Sequence, residues 1–140
     1  MSPSSSREYF RAADQRLSVA EFLHSWKFNL DARYIGGYTV ECSLKALILH
    51  LTPIADIPQV LEKISHGSNM HKHDTLFGML RDMGVQPPND LRRRMFRFHW
   101  DTSLRYETGL RDHGETTAFL RTAQWVHEWV KEQIDGNNGS

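Results

Sequence analysis

Hydrophobic residues along this chain recur at intervals of three and four positions, which is the spacing of one face of an α-helix. This pattern predicts a first helix over about residues 6–28, after serines at 4–6 that supply N-caps. The same periodicity predicts a last helix over about 116–134. The positions expected to face the core are Tyr9, Phe10, Ala13, Leu17, Ala20, Leu23 and Trp26 in the first helix, and Phe119, Leu120, Ala123, Val126, Val130 and Ile134 in the last.

Polar breaks and prolines limit the next two helices. Residues 29–31 interrupt the first helix, and a second helix then continues to the residues before Pro53, which cannot extend it. Pro58 is suited to the first turn of a short helix that ends near Ile64.

The middle of the chain contains two more predicted helices. Residues 65–73 are polar and irregular. Asp74 is expected to cap a helix over 75–83, which Gly84 closes in a left-handed conformation. A further helix is predicted over 91–102, after a pair of prolines.

These elements predict the fold class, because no segment shows the alternation of a strand. We expect one domain over residues 1–140, with flexible ends at 1–5 and 135–140. Its predicted fold is all-α, an antiparallel bundle of four main helices plus one or two short ones.

The second helix carries three distinct strips at 100° per residue. The small strip consists of Ala32, Gly36, Thr39, Ser43 and Ala46; the apolar strip of Gly37, Val40, Leu44 and Leu47; and the opposite strip of Tyr34, Tyr38, Glu41 and Lys45. Each glycine inside a helix costs about 1 kcal/mol relative to alanine, so close packing must compensate. The pattern therefore predicts a central helix with a neighbour pressed against its small strip.

The same helix resembles the second helix of HEPN domains, whose pattern is Glu, two spacers and then Leu-Lys-Ala-Leu. Here that run begins at Glu41 and ends at Leu47. The segment from His73 to Leu76, His-Asp-Thr-Leu, resembles the family's start of helix three, and Leu-Arg-Tyr ending at Tyr106 resembles its signature before the last helix. The resemblance covers about residues 9–134. It implies a homodimer with a partner such as a nucleotidyltransferase, in a prokaryotic toxin–antitoxin or defence setting.

Composition limits the function less than the pattern does. Lysine plus arginine and aspartate plus glutamate are both 17, so any nucleic-acid role must come from a local patch. No apolar run approaches the ~20 residues that span a bilayer, and the N-terminus does not resemble a signal peptide. The single cysteine, Cys42, cannot form an internal disulfide. We therefore expect a cytoplasmic protein that makes no membrane contact.

Arginines concentrate around the fifth predicted helix. Six arginines and three aspartates lie between residues 81 and 105. Catalytic HEPN members are metal-independent ribonucleases with an arginine, four to six spacers and a histidine, which implies His99 as the acid–base group and Arg94, Arg93 or Arg92 as the phosphate-stabilising residue. On an unbroken helix only Arg92 shares a face with His99.

A structural alternative explains the same segment. Leu91, Met95 and Phe98 have the spacing of a core stripe, and the arginines are then its solvated flanks, paired with Asp90 and Asp101. We therefore prefer an interaction or nucleic-acid-associated module. The alternatives are a metal-independent endoribonuclease and a purely structural dimer adaptor.

Two further groups of residues have open interpretations. Trp100, Asp101, Arg105 and Tyr106 predict either a nucleotide grip or a structural loop, in which Arg105 pairs with Glu41 and Tyr106 caps the core. Glu41 and Lys45 predict either a solvent-exposed ion pair or, with Tyr38, the floor of a groove shared with Arg105.

The remaining chemistry-bearing residues indicate no cofactor. His66, His71 and His73 lie in a polar loop without metal-ligand spacing, so no metal site is predicted. Cys42 on the packed helix is expected to behave as a small hydrophobe. Trp100, Trp125 and Trp129 add more aromatic surface than one small bundle is expected to bury, which predicts a homodimer.

Overall fold

A computed structural model describes residues 3–98 and 100–139, without the side chains of 137–139. Over this part of the chain the secondary structure is helical, with no strand. The α-helices are α1 (Ser6–Ser25), α2 (Asn29–Leu51), α3 (Ile57–Ser65), α4 (His73–Asp82), α5 (Asn89–Arg97) and α6 (His113–Gly139), joined in part by 3-10 turns at Ile54–Asp56, Ser68–His71 and Thr102–Tyr106. The all-α prediction is confirmed, although only α1, α2 and α6 are long. No helix within the described residues has the length and apolar character needed to cross a membrane.

Helix α2 is central, as its small strip predicts. It packs mainly against α1 and α6, with α4 on a third side. A Cβ atom added at Gly36 would lie 2.6 Å from Leu120 Cδ2 and 3.2 Å from Phe119 Cε2, so α6 uses the space that glycine leaves. The small strip is therefore the surface on which α6 rests.

Local signals placed most helix ends correctly. Ser5 caps α1 by accepting a hydrogen bond from the Glu8 backbone N–H at 3.1 Å. Pro58 lies in the first turn of α3, and Gly84 has a φ of +87° just after α4. Asp74 is not the cap of α4, however, because the helix already begins at His73.

The break between α1 and α2 lies earlier than predicted. Lys27 has a φ of +62°, which reverses the chain after Ser25, and Asn29–Asp31 then form the first turn of α2. Trp26 consequently leaves the core stripe and is 66% exposed. Helix α6 is longer than predicted at both ends and continues beyond Ile134 to Gly139.

Helix α5 ends five residues before the predicted position. It stops at Arg97, and Phe98 is already extended, with φ −101° and ψ 109°. The helical-wheel argument that placed Arg92 and His99 on one face therefore does not apply, since that argument required an unbroken helix. His99 itself lies outside the described residues.

The tryptophans do not form the predicted excess of exposed aromatic surface. Trp100 and Trp129 are 8% and 5% exposed and belong to the core of a single chain, and Trp125 is partly buried. Several exposed aromatic side chains lie instead around the C-terminal end of α1, where Phe22 is 63% exposed; Phe96 of α5 and Tyr106 are also exposed. The homodimer stays a prediction, but these tryptophans do not support it.

Candidate functional site

Glu41 and Lys45 of α2 and His71 of the turn Ser68–His71 form a polar cluster, which we call the closed cluster. The Lys45 ammonium donates to Glu41 Oε2 at 2.9 Å, and His71 Nδ1 donates to Glu41 Oε1 at 3.0 Å. Glu41 and Lys45 are 4% and 3% exposed, because the 3-10 turn Ser68–His71 and α1 pack over them. The solvent-exposed ion pair is therefore wrong. Both carboxylate oxygens have partners inside the protein, and the burial of Glu41 keeps this carboxylate out of reach of a ligand.

Trp100 packs on α2 at the position where a glycine leaves room for it. A Cβ atom at Gly37 would lie 1.8 Å from Trp100 Cε2. The indole N–H donates to the carbonyl oxygens of Arg33 and Tyr34 at 3.0 and 3.2 Å. The edge of its ring also meets Tyr38, with ring centroids 5.1 Å apart. Trp100 is thus fixed by the fold, and its ring is not free to stack on a nucleotide.

His73 forms the other wall of this aromatic pocket. Its ring stacks on Trp100 with centroids 4.9 Å apart, and Nε2 donates to the Gly37 carbonyl at 2.9 Å. Burial lowers the pKa of His73 to about 4, against the smaller opposing effects of Gly37, Glu41 and Asp74. The imidazole is therefore neutral near pH 7, and its N–H secures the start of α4 to α2.

Tyr38 is bound into the same cluster. Its hydroxyl lies 3.2 Å from the hydroxyl of Tyr34, and burial followed by this hydrogen bond raises the pKa of Tyr38 far above its usual range. The phenol keeps its proton, and a role as a base would require its deprotonation. The positive charge of Arg105 opposes this rise in the pKa of Tyr38 slightly.

Arg105, Tyr106 and Asp101 remain at the surface. The Arg105 guanidinium lies over the Tyr106 ring at 4.7 Å, and Tyr106 is 76% exposed, so it does not cap the core. Among the described residues Arg105 has no ion pair, with Glu41 or any other carboxylate. Asp101 accepts from the Ser103 backbone N–H at 2.7 Å. Hydrogen bonding by the side chain and then the backbone of Ser103 lowers the pKa of Asp101. Of the predicted nucleotide grip, only the Arg105–Tyr106 stack is open to a ligand.

Three of the four arginines of α5 lie over aromatic rings. Guanidinium carbons are 5.4 Å from the Phe96 ring for Arg92, 5.4 Å from the Trp125 ring for Arg94 and 5.7 Å from the Phe98 ring for Arg97. We call the exposed side of this helix the arginine surface; its members are Arg92, Arg93, Arg94, Phe96 and Arg97.

The predicted pairing of these arginines is only partly present. Arg93 pairs with Asp90, as predicted, and Arg97 lies 3.4 Å from Glu115 of α6. Arg92 and Arg94 make no ion pair with a described residue. They also face different neighbours, since Arg92 lines a cleft of about 190 Å³ beside Arg81 of α4 and Arg94 lies over Trp125 of α6.

A second polar network, joined by hydrogen bonds, links Ser43, His127 and Asp14. Ser43 Oγ lies 2.9 Å from His127 Nδ1, and His127 Nε2 donates to Asp14 Oδ1 at 3.2 Å. This connectivity is that of a hydrolytic triad, but Ser43 is fully buried and only Asp14 reaches solvent. No substrate can reach the hydroxyl, so this network of three side chains stabilises the packing of α1, α2 and α6.

The other candidate reactive groups are also occupied. Burial raises the pKa of the Cys42 thiol to about 12, so it is not a thiolate. His66, His71 and His73 contact three different partners: the Glu62 carbonyl, the Glu41 carboxylate and the Gly37 carbonyl. In the described part of the chain, no three histidine, cysteine or acidic side chains are grouped to hold a metal ion.

One cavity of about 440 Å³ was not indicated by the sequence pattern. Its walls come from the start of α1, the end of α2 and the last turns of α6. Its cationic residues are Arg7 and Arg11, one turn apart on α1, and Lys131 of α6, which is more than a hundred residues away in the sequence, so no local motif marks the set.

Comparisons of this chain with protein-family models, with curated proteins and with solved structures found no match.

Proposed function

We propose that this chain is a HEPN-like binding module that holds single-stranded RNA on its arginine surface and has no catalytic chemistry of its own. The observation that carries the proposal is the arrangement of α5, in which Arg92, Arg94 and Arg97 lie over aromatic rings. Proteins bind single strands by combining cations for the phosphates with aromatic faces for the bases. Phe96 is 39% exposed beside these cations, so this surface offers both groups.

The state of the reactive groups favours binding over hydrolysis. The Cys42 thiol is protonated, the Ser43 hydroxyl is buried and His73 is neutral and fully engaged by Gly37 and Trp100. The metal-independent ribonuclease is the alternative, and it depends on His99 together with Arg94, Arg93 or Arg92. A nucleotidyltransferase partner and a toxin–antitoxin or defence setting stay predictions of the resemblance.

Fluorescence anisotropy with a labelled single-stranded RNA of about 12 nucleotides tests this proposal. We expect binding that weakens steeply as salt rises, because phosphate contacts release counterions. Arg92→Ala/Arg94→Ala should weaken it, whereas the control Arg16→Ala, on the exposed side of α1, should not. Absence of binding, or an equal loss in the control, would contradict the proposal.

The same RNA distinguishes binding from cleavage. In EDTA we expect it to remain intact during a long incubation with the protein. Cleavage that leaves a cyclic phosphate and is lost in His99→Ala would instead support the ribonuclease alternative, since the 2′-hydroxyl is then the nucleophile. Cleavage that persists in His99→Ala would indicate a contaminant or other residues.

The predicted homodimer has a different structural support. Val19 and Phe22 of α1 and Trp26, the residue just after this helix, are 40%, 63% and 66% exposed; we call them the α1 apolar face. Aromatic side chains carry about 150–250 Å² each, so this face leaves on the order of 350 Å² of apolar surface open. A standard interface buries about 800 Å² per partner, with an apolar centre and a polar rim.

We propose that a second copy of the chain covers the α1 apolar face. Two copies related by a two-fold axis would place this face against itself, with Phe22 and Trp26 at the centre. Light scattering during gel filtration should give twice the 16.3 kDa monomer mass. Trp26→Ser should restore the monomer, whereas Leu110→Ser, at a side chain that is 98% exposed, should leave the dimer intact. A monomer at high concentration would contradict this proposal.

A further inference from the structure

The cavity between the ends of α1, α2 and α6 has the dimensions of a small-molecule site. Its volume of about 440 Å³ lies within the roughly 300–1,000 Å³ typical of ligand pockets. The residues around it are Ser6, Arg7, Phe10, Arg11, His50, Lys131, Ile134 and Asp135. A nucleic-acid strand or a folded partner is too large to enter such a space.

The cavity carries an excess of positive charge. Arg7, Arg11 and Lys131 are exposed, and none forms an ion pair with a described residue, in contrast to Arg93 and Arg97 on the arginine surface. Asp135 is the one carboxylate in the described lining. Three cations that converge on a concave surface repel one another and attract an anion.

Part of the wall is apolar and rigid. The Phe10 ring stacks on the buried His127 with centroids 4.5 Å apart, and Ile134 of α6 is partly buried. The Ser6 hydroxyl donates to the Ala46 carbonyl at 2.6 Å, which holds the first turn of α1 against α2. The cavity therefore joins a cationic side to a fixed apolar side.

We propose that this cavity binds a small phosphomonoester that carries an aromatic or apolar group. Guanidinium groups match phosphate oxygens through paired hydrogen bonds, and the Lys131 ammonium adds a point charge. The apolar part of the ligand would lie against Phe10 and Ile134. This site is separate from the arginine surface, since none of that surface's residues lines the cavity, and neither does Trp125, over which Arg94 lies.

Isothermal titration with phenyl phosphate as the probe tests the proposal. We expect measurable binding that is weakened at least about tenfold in Arg11→Ala/Lys131→Ala, because charge-assisted hydrogen bonds contribute more than ordinary ones. Inorganic phosphate should bind more weakly than phenyl phosphate, since it makes no apolar contact. The control pair Arg16→Ala/Lys63→Ala removes two exposed cations outside the cavity and should keep wild-type affinity.

Three results would overturn the proposal. They are no binding of phenyl phosphate at about 10 mM, binding that is unchanged in Arg11→Ala/Lys131→Ala, and equal affinity for inorganic phosphate. Arg92→Ala/Arg94→Ala should keep phenyl phosphate binding, so the outcome is independent of the RNA proposal. Arg11 and Lys131 are both exposed, and an unchanged thermal melt of Arg11→Ala/Lys131→Ala would establish that this double variant is folded. Lys131→Glu alone provides a second variant.

Discussion

The closed cluster of Glu41, Lys45 and His71 and the arginine surface of α5 are two groups of polar and charged side chains that differ in their burial and in their partners. In the closed cluster Glu41 and Lys45 are buried, His71 is half-exposed, and each finds a partner within 3.0 Å. On the arginine surface the charges are solvated, and Arg92 and Arg94 face aromatic rings rather than carboxylates. The first arrangement stabilises the fold, and the second leaves cations available to bind.

The difference follows from the cost of removing charge from water. A buried charge must be compensated inside the protein, and Glu41 and Lys45 compensate each other where a ligand cannot reach them. An exposed charge has no such requirement, and a solvated pair such as Arg93–Asp90 contributes little to stability. Substitutions in the two regions should therefore separate stability from binding.

Removal of one partner from the closed cluster should have the largest effect. Lys45→Ala leaves Glu41 buried with only His71, and we expect a loss of about 3–5 kcal/mol in the free energy of unfolding. Arg93→Ala removes a pair whose side chains are 77% and 70% exposed, and should cost less than about 1 kcal/mol. Urea denaturation measures both. Equal losses would remove the distinction between the regions.

A substitution at Gly37 tests the contact between α2 and Trp100, which follows the arginine surface in the sequence. Gly37→Ala inserts a methyl group into the indole ring and should cost about 3 kcal/mol through overpacking and displacement of Trp100. Gly78→Ala is the matched control, because this helical glycine has open space around it and alanine should add up to about 1 kcal/mol of stability. Thermal melts of the two variants should shift in opposite directions. A stable Gly37→Ala would show that Trp100 is not held against α2.

The free energy of unfolding should also depend on pH through the buried His73. The folded pKa of His73 is lowered to about 4, so the unfolded chain takes up the proton first. Its contribution to stability is present above about pH 6.5 and is lost as the pH falls toward about 4, which amounts to about 2 kcal/mol between about pH 7 and pH 5.

His24 and His127, whose pKa values burial also lowers, act in the same direction, so a variant is needed to isolate His73. Urea denaturation of His73→Gln should show a flatter dependence on pH than wild type. An unchanged slope would contradict the assignment. RNA binding should not share this dependence, since arginines keep their charge throughout the range.

The smallest effect on stability is expected on the arginine surface. Arg92→Ala/Arg94→Ala should change the free energy of unfolding by less than about 0.5 kcal/mol. The slope of log affinity for RNA against log salt should fall by about 1.4, because each arginine that neutralises a phosphate of a single strand adds about 0.7 to it. Anisotropy titrations at several salt concentrations measure this slope. A loss of stability comparable to that of Lys45→Ala would show that these arginines belong to the fold.

Local sequence signals determined the helices themselves. Apolar spacing predicted α1, α2 and α6, and Ser5, Pro58 and Gly84 act where single residues indicated. The small strip of α2 also predicted its central position. These features depend on residues within a turn or two of one another, so the sequence contains their causes.

Tertiary structure decided which face each side chain meets. Glu41 and Lys45 have the spacing of a surface pair, but their burial depends on the turn Ser68–His71 folding over them. Trp100 became part of the core because α5 ends early and the following chain returns to the space at Gly37. The cavity of Arg7, Arg11 and Lys131 arises where three helix ends meet. Contacts between distant segments leave no local pattern, and for that reason only the folded chain reveals them.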